Sequence, residues 1–166
     1  IFSSIFIISI IKISGQYVLL HRVFPDMNII YSEDLMVWKN SQKILSPRKG
    51  SWDSTRLGGG PSPFRTDLGW LHFYNGVDDK DNYQLGVLIH DLNKPERIIY
   101  RSEEPILKPE KIWEKEGNFP NVVFSCGAVE KDGKYLIYYG GADKVIGVAS
   151  VDKAELLGEL GKEIDL

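Results

Sequence analysis

Three stretches of this chain share one local pattern, and that repetition restricts the fold more than any other feature. Gly15-Gln16-Tyr17-Val18-Leu19-Leu20-His21-Arg22, Gly69-Trp70-Leu71-His72-Phe73-Tyr74-Asn75-Gly76 and Gly133-Lys134-Tyr135-Leu136-Ile137-Tyr138-Tyr139-Gly140 each open on a glycine. Each continues through β-branched, aliphatic and aromatic residues and closes on polar or small ones. A second strand-like run follows each: 28–31, 83–89 and 145–150. The links between the runs are rich in Asp, Asn, Gly and Pro, as hairpins require. The glycines lie 54 and 64 residues apart. An antiparallel unit repeated at intervals of about 40–50 residues or more points to propeller blades. Three copies cannot close even a small propeller, which needs at least about four blades.

Helical periodicity is poor along nearly the whole chain. Only residues 152–160 offer a short helix, so the fold class expected is all-β. The composition, with 43% hydrophobic and 26% charged residues, is that of a soluble globular domain. A formal net charge of -3 gives no electrostatic reason to expect nucleic acid or an anionic membrane. The single cysteine, Cys126, has no internal disulfide partner, which suits a reducing, cytoplasmic compartment. Residues 1–14 stand apart from the partial propeller expected over 15–166. The apolar run at 1–13 is too short for a membrane-spanning helix, which takes about 20 residues. It also lacks the charge order of a signal peptide. It reads either as a buried strand or as an altered start.

Ser32-Glu33-Asp34 followed by Trp38 reads as a turn at a strand end, with Asp34 binding local amides and Trp38 packing beneath. The run Trp52-Asp53-Ser54-Thr55-Arg56-Leu57-Gly58-Gly59-Gly60-Pro61-Ser62-Pro63 is the least ordinary in the chain. Its glycines allow close backbone approach, but no lysine and helix follow, so a nucleotide-phosphate loop is rejected. Arg22 and Arg56 flank strands, where a guanidinium holds a carboxylate, a phosphate or sugar hydroxyls. A structural ion pair is the plainer alternative. Asp143 could bind sugar hydroxyls, act as acid or base, or only complete a hairpin turn. Trp52, Tyr74, Tyr83 and Phe124 could stack on pyranose rings, although strand aromatics usually belong to a core. His21, His72 and His90 have no metal-ligand spacing, so no metal site is expected. His72 and His90 read as structural.

Several ordered motifs make one resemblance specific. Gly58-Gly59-Gly60-Pro61-Ser62-Pro63-Phe64-Arg65 running on to Tyr74-Asn75-Gly76-Val77, then Tyr83-Gln84-Leu85-Gly86, Asp91-Leu92-Asn93-Lys94-Pro95, Trp113-Glu114, Asn121-Val122-Val123-Phe124 and Tyr138-Tyr139-Gly140-Gly141-Ala142-Asp143 resemble glycoside hydrolase family 130, the β-1,4-mannoside phosphorylases and related mannosidases. The similarity runs over about residues 15–157. It implies a five-bladed propeller, of which about three blades are represented. The implied reaction is cleavage of a β-mannoside by inorganic phosphate, as co-substrate, or by water. No cofactor is implied, and the sequence leaves the oligomeric state open. By position, Arg22, Arg56 and Asn75 resemble phosphate-contacting residues. Asp143 and Phe124 resemble the sugar lining, with Trp52 and Tyr83 as further candidates. Family members typically carry histidine where Asn75 stands, which makes sugar binding better supported than phosphorolysis. The family's catalytic aspartate falls upstream of the matched part, so the catalytic residue here is unknown and little turnover is expected from this chain. The alternative is a non-catalytic, carbohydrate-binding or partner-dependent propeller fragment. The five candidates Arg22, Arg56, Asn75, Phe124 and Asp143 are expected on one concave, locally positive face.

Overall fold

The computed structural model describes residues 9–164. Three antiparallel sheets follow one another along the chain. The first contains β1 (Ser9–Ile13), β2 (Gln16–Val23), β3 (Asp26–Ser32) and β4 (Trp38–Leu45) in that order. The second has β5 (Arg56–Gly58) and β6 (Phe64–Arg65) both paired with β7 (Trp70–Val77), then β8 (Tyr83–His90) and β9 (Ile98–Arg101). The third has β10 (Val123–Lys131), β11 (Lys134–Gly141) and β12 (Val145–Asp152). A one-turn helix α1 (Ile112–Lys115) precedes the third sheet, and α2 (Lys153–Glu163) follows it. The expected helix is therefore α2, capped by Asp152, whose carboxylate accepts from the amide of Glu155. The apolar start forms an edge strand from Ser9; residues 1–8 lie outside the described residues.

Gly15 and Gly133 turn the chain between the first and second strands of their sheets, and Gly69 turns it between β6 and β7. Ser14-Gly15 and Asp132-Gly133 are two-residue turns with φ of 49° and 87°, and of 51° and 73°. Left-handed backbone at both positions matches the twist of the flanking strands and favours glycine second. Gly69 closes a longer turn between Arg65 and Trp70, where the Thr66 hydroxyl donates to the Gly69 carbonyl at 2.7 Å. That longer turn shifts the phase. Toward its predecessor the third sheet presents Tyr135 and Ile137, two and four residues after the glycine. The second presents His72 and Tyr74, three and five after it. Counting from the glycine is thus one residue out of step in the second sheet.

Sheets pack face to face. Leu71, Phe73, Leu85, Val87 and Ile89 of the second sheet meet Tyr135 and Ile137 of the third, with Leu156 and Leu160 of α2 joining them. Met27 of the first sheet meets Leu57, Tyr74 and Leu88 of the second. Because β7 and β8 are covered on both faces, they are apolar almost throughout, without polar alternation. The loop between β3 and β4 forms as the sequence implies. Asp34 accepts from the amides of Met36 and Val37 at 2.8 and 2.9 Å, and the Trp38 indole donates to the Leu35 carbonyl.

Candidate functional site

The strand register places the candidate residues at one end of the three sheets. Arg22 stands at the close of β2, beside the turn to β3. Arg56 opens β5 opposite Val77, and Phe124 lies near the start of β10 opposite Gly140. Asp143 is in the turn from β11 to β12. The turn after Arg22 is tied to the second sheet by the Leu57 amide, which donates to the Pro25 carbonyl at 3.0 Å.

Three of the candidates touch. The Arg56 guanidinium donates to the Tyr83 hydroxyl at 2.9 and 3.2 Å and lies 5.0 Å from the centre of its ring. It also pairs with Asp81 at 2.9 Å. Its charge is therefore largely compensated, contrary to the expectation of a mouth made positive by two free arginines. Burial works against its charge, but the hydrogen bonds it donates to Tyr83 and Asp81 outweigh that and hold its proton more firmly. Arg22 has no ion-pair partner among the described residues, and neither do Lys80 and Lys144 in the turns at the same end. Tyr83 meets Phe124 edge to face at 5.8 Å, and Phe119 likewise at 6.1 Å.

Asn75 does not join this surface. It is 1% exposed. Its amide donates to the carbonyls of Gly59 and Ser125, both at 2.9 Å, and accepts from the Ser125 amide at 3.0 Å. Both donors are spent, one on the loop after β5 and one on β10, so none is offered to an anion. Trp52 likewise belongs to the packing between the first two sheets. Its ring fills the space above Gly76 and Gly86, where any Cβ would lie within 2.6 Å of it, and its indole donates to the Glu103 carbonyl. Of the seven candidates, five line this end and two are structural.

The glycine run owes its form to β7. The Asn75 amide holds the Gly59 carbonyl from the side of the third sheet. The amide of Gly60, in the same peptide unit, points at His72 Nε2, 3.5 Å away on the side of the first sheet. One peptide is thus gripped at both ends by side chains on opposite faces of one strand. The histidine tautomers follow from the chain of contacts. A carbonyl only accepts, so His90 Nδ1 donates to the Pro95 carbonyl at 2.7 Å. His90 Nε2 then accepts from His72 Nδ1 at 3.2 Å, leaving His72 Nε2 to accept from Gly60. Both rings are neutral. Burial pushes His72 far below the usual histidine range and His90 to about 4. At Gly60 a Cβ would lie 2.1 Å from the Phe73 carbonyl oxygen, so glycine is obligatory there.

Sequence reasoning missed a buried ionic node. Asp53 is 0% exposed, bound by Arg48, Arg101 and the Tyr74 hydroxyl. Burial pushes its carboxyl up, but the two guanidiniums and the phenol outweigh that and hold it low. Nothing local marks it, because its partners lie 5, 21 and 48 residues away. Also missed were Phe119 and Asn118, whose place on the rim depends on contacts with the 142–143 turn. Among the described residues no His, Cys, Asp or Glu cluster suited to a metal is present.

The fold defines a class: three consecutive blades of a β-propeller, with five of the candidate side chains at one end of the sheets. The chain belongs to glycoside hydrolase family 130, the family described as beta-1,4-mannooligosaccharide phosphorylase, whose model matches residues 1–161. It is 48% identical over 145 residues to a 1,2-beta-oligomannan phosphorylase of Thermoanaerobacter sp. (strain X514), covering 87% of this chain and 49% of that one. It is 37% identical over 150 residues to a Beta-1,4-mannooligosaccharide phosphorylase of Ruminococcus albus, covering 83% and 44%. Among solved structures, the Beta-1,2-Mannobiose phosphorylase from Listeria innocua, in complex with beta-1,2-mannobiose, superposes with a TM-score of 0.86 at 35% identity, covering 92% and 46%. The chain spans about half the length of the curated relatives it matches. The family's propeller has five blades, and this chain forms three consecutive sheets of it. No helix among the described residues is long and apolar enough to cross a membrane.

Proposed function

We propose that this chain forms the sugar-binding side of a β-mannoside-processing site, with Asp143 and Phe124 toward the mannosyl unit and Arg22 toward an anion such as inorganic phosphate. The observation that carries this is the contact chain Arg56–Tyr83–Phe124 at the mouth, where Asp143 is exposed and Arg22 uncompensated. Exposed hydroxyl-binding groups beside aromatic rings are what a pyranose requires, with polar edges and an apolar face met together. The reaction class is glycosidic cleavage by phosphate or water. The loss of Asn75 as an anion contact leaves Arg22 as the main anion-binding group.

A general acid must be protonated at working pH. The carboxyls whose acidity is perturbed here, Asp34, Asp53, Asp91 and Glu114, are all held low, so each is an anion at neutral pH. Their role is structural, and the proposed contribution of these three blades is binding rather than proton donation. A β-1,2 linkage is favoured over β-1,4, because the relatives at 48% and 49% identity carry β-1,2 names and the β-1,4 relative stands at 37%.

Calorimetric titration of the chain with β-1,2-mannobiose, β-1,4-mannobiose and inorganic phosphate tests the reading. The expected result is mannobiose binding weakened by Asp143→Ala and phosphate binding weakened by Arg22→Ala. Tight phosphate binding with no mannoside binding would overturn it.

A further inference from the structure

We infer that Phe119, together with Trp113, forms a second sugar-stacking platform on the rim, taking the next pyranose of a β-linked manno-oligosaccharide beyond the unit at Phe124. The inference rests on the binding role proposed above and adds to it an outer subsite and a preference for longer chains.

The segment between α1 and β10 is laid flat on the β11–β12 turn. Gly117 lies so close that a Cβ there would be 2.3 Å from the Ala142 carbonyl oxygen. The Phe119 amide donates to that same carbonyl at 3.1 Å, and the Asn118 side chain donates to the Asp143 carbonyl at 2.9 Å. These three contacts hold the segment that carries the Phe119 ring. One edge of it meets Tyr83 at an interplanar angle of 89°, and 41% of the residue is open to water. Tyr83 also meets Phe124, so the two phenylalanines stand one ring apart along the mouth. Trp113 reaches the other side of the same turn. Its ring lies 3.4 Å from where a Gly141 Cβ would be, and the residue is 46% exposed.

What sets this ring apart from the other exposed apolar residues is its place, against Tyr83 and one ring from Phe124. Here the ring is neither swung inward nor replaced by a polar residue. The segment that carries it lies on the turn of Asp143, whose carboxylate has no hydrogen-bond partner among the described residues. A pyranose fits that pairing, with its C–H face on the ring and its hydroxyls toward Asp143 and Asn118. A purely apolar partner would leave the carboxylate desolvated and unpaired, which is costly.

The test is titration of the full chain with mannose, β-1,2-mannobiose and β-1,2-mannotriose, followed by light-scattering and circular-dichroism controls on each variant. In the parent, affinity is expected to rise about 3–10-fold with chain length, the worth of one aromatic stacking contact. Phe119→Ala is expected to remove that rise and leave mannose affinity unchanged. Trp113→Ala is expected to reduce the rise in part, and Phe119→Tyr to preserve it. A parent that binds mannose as tightly as mannotriose, or a Phe119→Ala variant that loses mannose and mannotriose equally, would overturn the inference while leaving the proposed function standing. Absence of binding to every sugar would remove both.

Discussion

Replacing Asn75 by aspartate exchanges one NH2 group for an oxygen and separates two roles. If Asn75 is a staple, the isosteric carboxylate keeps the bond from the Ser125 amide but turns an oxygen toward two carbonyl oxygens, those of Gly59 and Ser125. Each abandoned buried acceptor costs about 1–3 kcal/mol. With the repulsion of a buried charge added, the variant should lose about 3–6 kcal/mol at neutral pH, a large part of the 5–15 kcal/mol that holds an ordinary domain together. The carboxyl escapes part of this by keeping its proton, so its folded pKa rises above the unfolded value of about 3.9. The folded state then binds more protons than the unfolded one. The deficit relative to the parent is therefore smallest near pH 4 and widens by up to about 1.4 kcal/mol per pH unit above it. Urea denaturation of parent and Asn75→Asp at pH 4.5 and pH 7, followed by tryptophan fluorescence, measures the difference. A variant within about 1 kcal/mol of the parent at pH 7, with phosphate binding abolished instead, would refute the staple and restore Asn75 as a ligand.

Two further outcomes follow from buried groups. His72 and His90 stay neutral in the folded chain while an unfolded histidine takes up its proton near 6.5, and His90 does so only at about 4. Stability is thus fully present above pH 6.5 and is lost as pH falls toward 4, at about 1.4 kcal/mol per unit for each ring. Equilibrium unfolding against pH should show this slope, and a double His72→Gln, His90→Gln variant should flatten it. Asp53→Asn would leave Arg48 and Arg101 facing each other without a counter-charge, at a cost of about 3–5 kcal/mol by thermal or urea unfolding. Asp53 has a depressed folded pKa, so its contribution is present above about pH 4 and lost below it. The asparagine variant should lack that acid-side loss.

Local chemistry made the turns and strands readable. Asp132-Gly133 and Ser32-Glu33-Asp34 carry their geometry in neighbouring residues, and α2 announces itself through its Asp152 cap. The phase of the second sheet was hidden because a longer turn still ends on a glycine, and Gly69 therefore looked equivalent to Gly15 and Gly133. The family motifs include Arg56's neighbourhood, Tyr83 and Phe124, and these three side chains meet in the fold. They misled at Asn75, since spacing alone does not tell an inward side chain from one that faces solvent. Asp81, which compensates Arg56, sits in a polar loop with three other acidic or basic residues nearby, and only the fold selects it. Phe119 became visible only once the 116–121 link was seen lying on the β11–β12 turn.

The doubly gripped peptide between Gly59 and Gly60 makes the loop and the strand beneath it a single module. The carbonyl answers to Asn75 and the amide to His72, from opposite faces. A loop carried over from a relative would arrive without its two anchors, and new anchors would find no peptide turned to receive them. Remodelling the mouth of this channel by grafting means moving residues 58–63, His72, His90 and Asn75 together.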